Sequence, residues 1–546
     1  MSTKSDPKST AASIAKASWL PMIVIALAQI QMAFNVSALP VSIGGIVEEF
    51  DVSPSSVGTA LVVYSLAVAG FVMLGAKIGQ LFGSRLVFQI TVILHGLAMI
   101  GMALSPSSQM MMVMQALAGL AAAALVPTLV VMIAAHYRGS QQAQALGLLG
   151  ASQAMAGILA FLVAGVLGTF LSWRYSFGII GIIAACVVLL SFKLKPVERH
   201  DVNIDWGGAV LAALAITLIS LGFNNITDWG LLLATPDAPF SVLGMSLSPI
   251  MIITGIVIGQ GFFAWSRKRA TSKQSTLLAL EVLDSRKERA ATYSLFIIAA
   301  LGPAINFLIP LYIQIVQGRT SMQTSIAVIP YSFAIFLGTA MIVNLFGRWN
   351  PRAIGRTGFI VVALGLTMLA FSIRNDWGTP LVILSLIVIG LGEGSLLTLM
   401  FNILVSASPK ELAGDVGALR GTVNNLATGL GTAFASVVAI SLLSMIVMNS
   451  LVNNPVITVE TVENQIDLEN IDFVSNDDLD EVLAETDLTI QQKETAVDIN
   501  IDARLQALKI SFLILACIAL LAIIPSGGLP NYIPEEVPVD CYEGDH

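Results

Sequence analysis

The sequence predicts an all-α polytopic membrane protein with fourteen transmembrane helices. Fourteen apolar segments of roughly 17 to 25 residues follow one another along the chain, each long enough to cross a hydrocarbon core about 30 Å thick. Apolar residues make up 56% of the chain and charged residues only 11%, well below the roughly 25% of a soluble domain. Because lipid cannot hydrogen-bond to the backbone, each segment is expected to be helical.

The predicted spans cover residues 19–39, 57–74, 86–104, 110–135, 145–167, 175–190, 207–223, 249–265, 294–315, 326–345, 358–372, 380–401, 422–447 and 508–524. Residues 1–18 are polar and lack an apolar core with a small-residue cleavage site, so no removable signal peptide is predicted. Cys186 and Cys517 lie in spans and Cys541 lies near the end of the chain. Their spacing predicts neither a disulfide framework nor a metal site.

The distribution of basic residues predicts the orientation. With residues 1–18 in the cytoplasm, 21 of the 27 Lys and Arg residues fall on the cytoplasmic side, as the positive-inside rule requires. The six others are Arg174, Arg319, Arg374, Lys493, Arg504 and Lys509. The sequence therefore predicts a multi-pass protein of the plasma (inner) membrane with both termini in the cytoplasm.

Residues 450–505 form an acidic segment between the last two spans. They carry 14 of the chain's 35 acidic residues and only two basic ones. The charge density favours a solvated spacer on the extracytoplasmic side. Two other interpretations stay open, namely a folded cap and a docking surface for an extracytoplasmic protein partner.

Several motifs occur in an order that resembles the major facilitator superfamily, in particular its fourteen-span drug:proton antiporter branch of the multidrug efflux type. Residues 76–85 read AKIGQLFGSR and resemble the G-x-L-x-D-R-x-G-R-[RK] loop that follows span 2. The other matches are SWR at 172–174, DWGG at 205–208, PLYIQ at 310–314 and RWNPR at 348–352. The resemblance covers nearly the whole chain except the acidic segment and the tails.

The resemblance implies a major facilitator fold, in which two six-helix bundles enclose a central cavity and two further spans are inserted between them. Such bundles rock about a site at the membrane midplane to give alternating access. The implied divisions are a cytoplasmic tail at 1–18, an N-terminal bundle at 19–193, a linker with spans 7 and 8 at 194–266, a C-terminal bundle at 290–525 containing the acidic insert at 450–505, and an acidic cytoplasmic tail at 526–546.

The chain departs from the family pattern mainly at charged positions. Gln31 stands at the acid of span 1, Gln115 at the arginine of span 4, Phe161 at the proline of span 5, Asn424 at the arginine of span 13, and Gln80 and Gly347 at the aspartates of the two gating loops. Amides hydrogen-bond but do not titrate near neutral pH. We therefore expect weak proton-driven exchange of cationic drugs.

The resemblance also implies which side chains contact substrate or control access. The candidates for the cavity are Gln31, Asn35, Gln115, Asn306, Tyr312, Gln314 and Asn424. Those for the gating loops are Gly79, Gln80, Gly83, Arg85, Arg348 and Arg352. A second interpretation is equally favoured for each amide among these candidates. In it, the side chain only hydrogen-bonds a neighbouring helix and contacts no substrate.

Glu393 is the acidic residue placed deepest in a predicted span, near the middle of span 12 within GLGEG. An acid at this depth costs on the order of 3 kcal/mol on insertion scales, so it normally faces a bundle interior or a wet cavity and is functional. We expect Glu393 to face the gap between the bundles and to carry protons. The alternative interpretation of Glu393 is a neutral carboxylic acid that hydrogen-bonds to another helix. His95 and Arg420 are weaker candidates for a functional residue within the spans.

The motifs of soluble enzymes are not found in the sequence, and neither a cofactor nor nucleic-acid binding is predicted. Three functions remain. The first is a secondary transporter that exports amphipathic or lipophilic small molecules, with protons carried by Glu393. The second is an uncoupled facilitator or lipid-handling carrier, and the third is a transport-dead scaffold or receptor that uses the acidic insert. The expected partners are a small-molecule or lipid substrate and the membrane lipids.

Overall fold

The computed structural model describes residues 18–532 apart from 53, 198, 200–201, 237, 320, 346–347, 376–379, 409–411, 453, 455, 458–475, 485 and 487. The helices of this part are α1 (Leu20–Val41), α2 (Ile43–Phe50), α3 (Pro54–Phe82), α4 (Ser84–Ala103), α5 (Ser108–His136), α6 (Gly139–Phe170), α7 (Trp173–Ser191), α8 (Trp206–Asn224), α9 (Ile226–Trp229), α10 (Leu247–Thr271), α11 (Arg286–Leu311), α12 (Ser321–Leu345), α13 (Pro351–Ser372), α14 (Pro380–Ala407), α15 (Ala413–Val452), α16 (Asn476–Ala484), α17 (Ile490–Leu521) and α18 (Ile523–Ser526).

Among these described residues, thirteen helices are long and apolar enough to cross a membrane, and α12 contributes a shorter apolar stretch, Ile326–Ile342. The prediction of an all-α membrane protein with fourteen spans is therefore confirmed. The helices extend beyond the predicted spans because hydropathy detects only their lipid-facing part. The helix α15, with 40 residues, is about 60 Å long at 1.5 Å per residue and projects well beyond the hydrocarbon core.

Twelve of the fourteen long helices form two groups, which contact each other at two places. Helices α1 and α3–α7 pack with one another, as do α11–α15 with α17. The groups touch where α3 and α5 meet α15 and where α6 meets α12 and α14. The inserted helices α8 and α10 pack together, and α8 also contacts both α3 and α15. The residue boundaries predicted for these units stay a prediction.

Asp205 holds the inserted pair together. Its carboxylate caps α8 by accepting from Gly208 N at 2.9 Å, and it accepts from Trp265 Nε1 of α10 at 3.1 Å. Arg269, also on α10, lies 3.5 Å from the same carboxylate. The DWGG motif therefore serves packing of α8 on α10.

The described part of the acidic insert is a small folded unit. Leu451 at the end of α15, Ile457, Leu483 of α16 and Leu488 form a second apolar core, against which the beginning of α17 packs. The prediction of a solvated spacer is wrong for these residues. Apolar side chains recur along α16 and the beginning of α17, and they give both helices an apolar surface to bury. Residues 458–475 lie outside the described part.

The short helix α2 is fastened to the start of α7. Glu49 accepts a hydrogen bond from Trp173 Nε1 at 2.7 Å and forms an ion pair with Arg174 Nη2 at 2.7 Å. The hydrogen bond from the Arg174 guanidinium is the main reason that the pKa of Glu49 lies below its usual value of 4.5. The SWR motif is thus explained as an anchor for the loop between the first two spans.

We expect Glu49→Gln to destabilise the protein by less than about 1 kcal/mol at neutral pH, because the ion pair is partly exposed and screened. Since the pKa of Glu49 is lowered on folding, its contribution is present above pH 4.5 and disappears as the pH falls through the lowered value. Thermal unfolding of the purified protein at pH 7 and under acid conditions measures this. Glu48→Gln on the same helix is the control, and an equal effect of both variants at pH 7 would contradict the assignment.

Candidate functional site

Glu393 lies at a contact between three helices of the second group. Its side chain on α14 is buried, with only 6% of its surface exposed. The hydroxyl of Tyr331 on α12 donates a hydrogen bond to Glu393 Oε2. Its other carboxylate oxygen lies against Gly302 of α11, where any side chain larger than hydrogen would collide with it. Glycine at this position therefore makes room for the carboxyl group.

The expectation that Glu393 faces the gap between the bundles is not met in this structure. The carboxyl group is enclosed by α11 and α12 of its own group, because the flanking glycines bring α14 close to α12. A Cβ atom at Gly390 would lie 2.5 Å from the backbone oxygen of Tyr331. Because the backbones of α14 and α12 are this close, the carboxyl group of Glu393 binds a residue of α12, Tyr331.

Asn306 lies beside this acid and has a more open position. It is half-buried on α11, one turn after Gly302, and its Nδ2 donates to the Gly302 oxygen at 3.0 Å. Gly302 thus lies between the two polar groups: its oxygen accepts from Asn306, and its Cα faces the carboxyl group of Glu393, which Tyr331 binds from α12. Tyr331 was missed because a tyrosine in an apolar span carries no distinctive motif.

The amide of Gln31 joins α1 to α4. Gln31 Nε2 donates to the Val92 oxygen at 3.3 Å and lies 3.0 Å from Nδ1 of His95. Because the amide nitrogen is a donor, Nδ1 accepts, and the neutral imidazole carries its proton on Nε2. Gln31 Oε1 and His95 Nε2 have no hydrogen-bond partner in the described part of the chain. Gln31 and His95 are both fully buried.

Asn35 and Gln115 join α1 to α5 in the same way. The two amides donate to each other, each with a nitrogen–oxygen distance of 3.0 Å. Gln115 Nε2 also lies 2.8 Å from the sulfur of Met102 on α4. Both side chains are buried. These amides therefore serve as links between helices here, which is the alternative that the sequence left open, and contact with a substrate stays a prediction.

The three other cavity candidates occupy different surroundings. Tyr312 is buried, and its hydroxyl donates to the Arg374 oxygen at 2.8 Å and accepts from Gln317 Nε2 at 2.7 Å. It holds the end of α13, which gives this residue a structural role, and its contact with a substrate stays a prediction. The side chain of Gln314 lies outside the described residues. Asn424 is half-buried on α15.

A buried ion pair closes one end of the contact between the two groups. Lys77 Nζ of α3 lies 2.9 Å from Asp415 Oδ1 of α15. Asp415 also accepts from the backbone nitrogen of Ala279 at 2.9 Å and from Gln80 Nε2 at 3.5 Å. We call these four residues the gate cluster. It joins the first group, the second group and the segment that connects them at a single carboxylate.

The helix backbones pack closely next to this ion pair. A Cβ atom at Gly417 of α15 would lie 2.9 Å from the Cα atom of Pro127 on α5. At Gly421 it would lie 2.7 Å from Cγ2 of Val72 on α3. The two groups are therefore in tight contact at this end, which carries the turn between α3 and α4. The sequence signal that was overlooked is Asp415 ahead of regularly spaced glycines.

Of the residues predicted for the gating loops, some contact the opposite group of helices and others bind only within their own group. Gln80 reaches the opposite group through Asp415, whereas Arg85 Nη2 donates to the Phe192 oxygen at 2.9 Å within its own group. Arg352 Nε similarly donates to the Leu529 oxygen at 3.1 Å. Of the others, Gly79 lies near Thr128, Gly83 has a positive φ of 93° that suits glycine, Arg348 is exposed, and Gly347 lies outside the described residues.

Arg420 lies at a contact between the two groups. Its guanidinium stacks over the Phe401 ring of α14, 4.1 Å from the ring centroid. Its Nη2 lies 3.5 Å from Oε1 of Gln153 on α6. The side chain of Arg420 therefore lies between helices of both groups. From its position at the start of a span, the sequence favours a side chain at the membrane boundary.

The pattern of the Major Facilitator Superfamily matches residues 25–432 of the chain. The puromycin resistance protein pur8 of Streptomyces alboniger is 24% identical over 434 residues, which cover 77% of this chain and 82% of that protein. The tetracenomycin C resistance and export protein of Streptomyces glaucescens is 22% identical over 436 residues, covering 78% and 76%.

Two solved structures share the fold. The human organic anion transporter MFSD10 aligns with a TM-score of 0.57 and 12% identity, covering 93% of this chain and 99% of that chain. The proton:xylose symporter XylE aligns with a TM-score of 0.55 and 11% identity, covering 94% and 97%. The fourteen helices and the match over residues 25–432 show that this chain belongs to the Major Facilitator Superfamily of membrane transporters.

Proposed function

We propose that the protein exports amphipathic or lipophilic small molecules across the plasma membrane by alternating access, with Glu393 as its proton-binding group. The observation that carries the coupling is the position of Glu393. It is buried within a span, and in the described part of the chain its hydrogen-bond partner is a tyrosine hydroxyl and not a cation. A carboxyl group in such surroundings is rarely placed for packing alone.

The gate cluster supports alternating access. Lys77 and Asp415 come from the two opposing groups, so their ion pair exists only while the groups are closed at this end. Rocking of the groups to open this end must separate them. A proton shifts the balance between two such states only if it binds one state more tightly. The enclosed position of Glu393 supports this role, because a change in the packing of α11, α12 and α14 changes its surroundings.

The substrate class is supported by the relatives and by the neutral polar groups of the first bundle. Two relatives are named as a puromycin resistance protein and as a tetracenomycin C resistance and export protein. Gln31 and Gln115 occupy family positions for charged groups, which disfavours selection of cations by a fixed negative charge. We therefore propose a neutral or zwitterionic amphipathic substrate.

We expect Glu393→Gln to abolish the response of transport to a pH gradient while it leaves downhill transport intact, because the amide keeps the shape but does not titrate. Transport by the purified protein in liposomes, with and without an imposed gradient, measures this. Glu281→Gln at an exposed site is the control. Proton-driven efflux that persists in Glu393→Gln would exclude this coupling role, and wild-type transport that ignores the gradient would favour the uncoupled facilitator.

We expect Asp415→Asn to open the closed end of the bundle. Removal of one member of a buried ion pair costs about 3–5 kcal/mol because the remaining charge loses its partner. Spin labels at exposed Arg138 and Arg348, in a background without native cysteines, report the separation of the two groups there. A longer distance is expected in Asp415→Asn.

Two further variants test whether that opening comes from the unpaired lysine. Lys77→Gln combined with Asp415→Asn leaves no lone charge, so the distance should return towards that of the wild type. Arg85→Ala removes a charge that binds within one group and should leave the distance unchanged. Equal distances in wild type and Asp415→Asn would show that the ion pair does not hold this end closed.

We also propose that both termini are cytoplasmic, which follows from the distribution of basic residues. A membrane-impermeant thiol reagent added to intact cells should label a cysteine at exposed Asp480 of α16 and should not label one at Ser285. The reverse pattern would invert the orientation, and the gate cluster would then lie at the outer face.

A further inference from the structure

The turn between α9 and α10 carries an unusual number of exposed apolar side chains. This turn, residues 230–246, is called the hairpin below. Leu233 is 75% exposed and Leu243 is 96% exposed, and Leu231, Leu232 and Phe240 are each more than half exposed. The sequence of the hairpin has one ionisable residue, Asp237, whose structure lies outside the described residues. A surface of this composition is unfavourable in water.

The backbone of the hairpin is hydrogen-bonded to itself. Ala234 N donates to Gly244 O at 3.0 Å and Ser246 N donates to Leu232 O at 2.9 Å. Val242 and Met245 exchange two hydrogen bonds, at 3.2 and 3.0 Å. These bonds satisfy part of the backbone of the hairpin and fix its shape, and the polar headgroup zone can hydrogen-bond to the groups that remain. The hairpin is therefore a preformed element with apolar side chains on its outside.

Leu243 occupies a backbone conformation that leucine disfavours. It is the first of two central residues in the turn between Val242 and Met245, with a φ of 56°, and Gly244 follows with a φ of 80°. Two-residue turns with positive φ at both positions prefer Asn, Asp or Gly at the first one. A leucine held there, and almost fully exposed, is an outlier that indicates a functional role for its side chain.

The surroundings of the hairpin identify what covers it. It connects α8 and α10, two membrane-spanning helices. Residues of α10 such as Ile253 and Val257 are 62% and 60% exposed, as expected of a helix surrounded by lipid. The hairpin ends at Ser246, directly before α10 begins at Leu247, so its exposed apolar side chains lie near the membrane boundary at this end of α10. We therefore infer that the bilayer next to α10 covers the exposed side chains of Leu243 and Phe240.

We propose that residues 230–246 form an interfacial membrane anchor, which inserts Leu243, Phe240 and the leucines at 231–233 between lipid headgroups and the upper acyl chains. Leucine and phenylalanine side chains partition into this zone, and the strength of binding grows with the apolar area that they bury. The anchor fixes the depth of α8, the helix that packs against both α3 and α15. It thereby ties the inserted pair to the bilayer beside the contact between the two groups. This inference does not depend on the proposed substrate or on proton coupling.

The test uses the full-length protein in liposomes, with Cys186, Cys517 and Cys541 replaced by alanine. An environment-sensitive fluorophore is attached to a cysteine introduced as Leu243→Cys, and in a matched protein as Asp480→Cys on the exposed surface of α16. We expect blue-shifted emission at position 243 and stronger quenching by lipids with a shallow nitroxide than by those with a deep one. The probe at position 480 should emit as in water and respond to neither.

Emission at position 243 that matches position 480, without quenching by lipid, would overturn the proposal. It would indicate a surface left for another protein. A second variant separates the anchor from a simple packing role. Leu243→Asn suits the turn, so its thermal stability in detergent should equal or exceed that of the wild type. A probe introduced as Phe240→Cys should nevertheless be quenched less by shallow nitroxide lipids in Leu243→Asn, and unchanged quenching would count against the anchor.

Discussion

Hydrocarbon cannot satisfy hydrogen-bonding groups, and the rest of this structure depends on that constraint. It forces the backbone of every described span into helices, and it requires polar side chains within the spans to find partners in neighbouring helices. Asn35 pairs with Gln115, Gln31 with His95, and Tyr331 with Glu393. Side chains that resemble a substrate site in the sequence therefore become the cross-links of the helix bundles. Each such link contributes only about 0.6 kcal/mol, so specificity of packing is their larger effect.

The two halves of the transporter differ in the chemistry of these links. In the first half they are amides and a neutral imidazole, which hold α1 against α4 and α5. In the second half, a carboxyl group stands at the junction of α11, α12 and α14. The helix α12, which carries Tyr331, also packs against α6 of the other half. In the proposed mechanism, loss or gain of a proton at Glu393 therefore reaches the contact between the halves through a single helix.

Asp415 occupies a corresponding place at the closed end of the bundle. Burying an ion pair costs desolvation free energy, which its attraction only partly offsets, so such pairs contribute more to the choice between conformations than to stability. The backbone amide of Ala279 adds the connecting segment to this contact. The inserted helices lie on the outer edge of the same junction, since α8 touches both α3 and α15. The gate cluster lies at the end of the bundle where α8 begins, and the hairpin follows the opposite end of this 19-residue helix.

The sequence by itself determined the class of the protein, the number of spans and the family, because hydropathy and loop motifs depend on local composition. It also singled out Glu393, since an acid deep in a span is unusual wherever its side chain points. Tertiary structure alone decided that Gln31, Asn35 and Gln115 join helices, that Tyr312 holds the end of α13, and that Lys77 meets Asp415. These pairs are separated by tens to hundreds of residues, and the direction of a side chain on an apolar helix leaves little trace in the sequence. The sequence left a folded acidic insert open as an alternative to a spacer, and only the tertiary structure decided between them, because the small core forms between the end of α15, α16 and the beginning of α17.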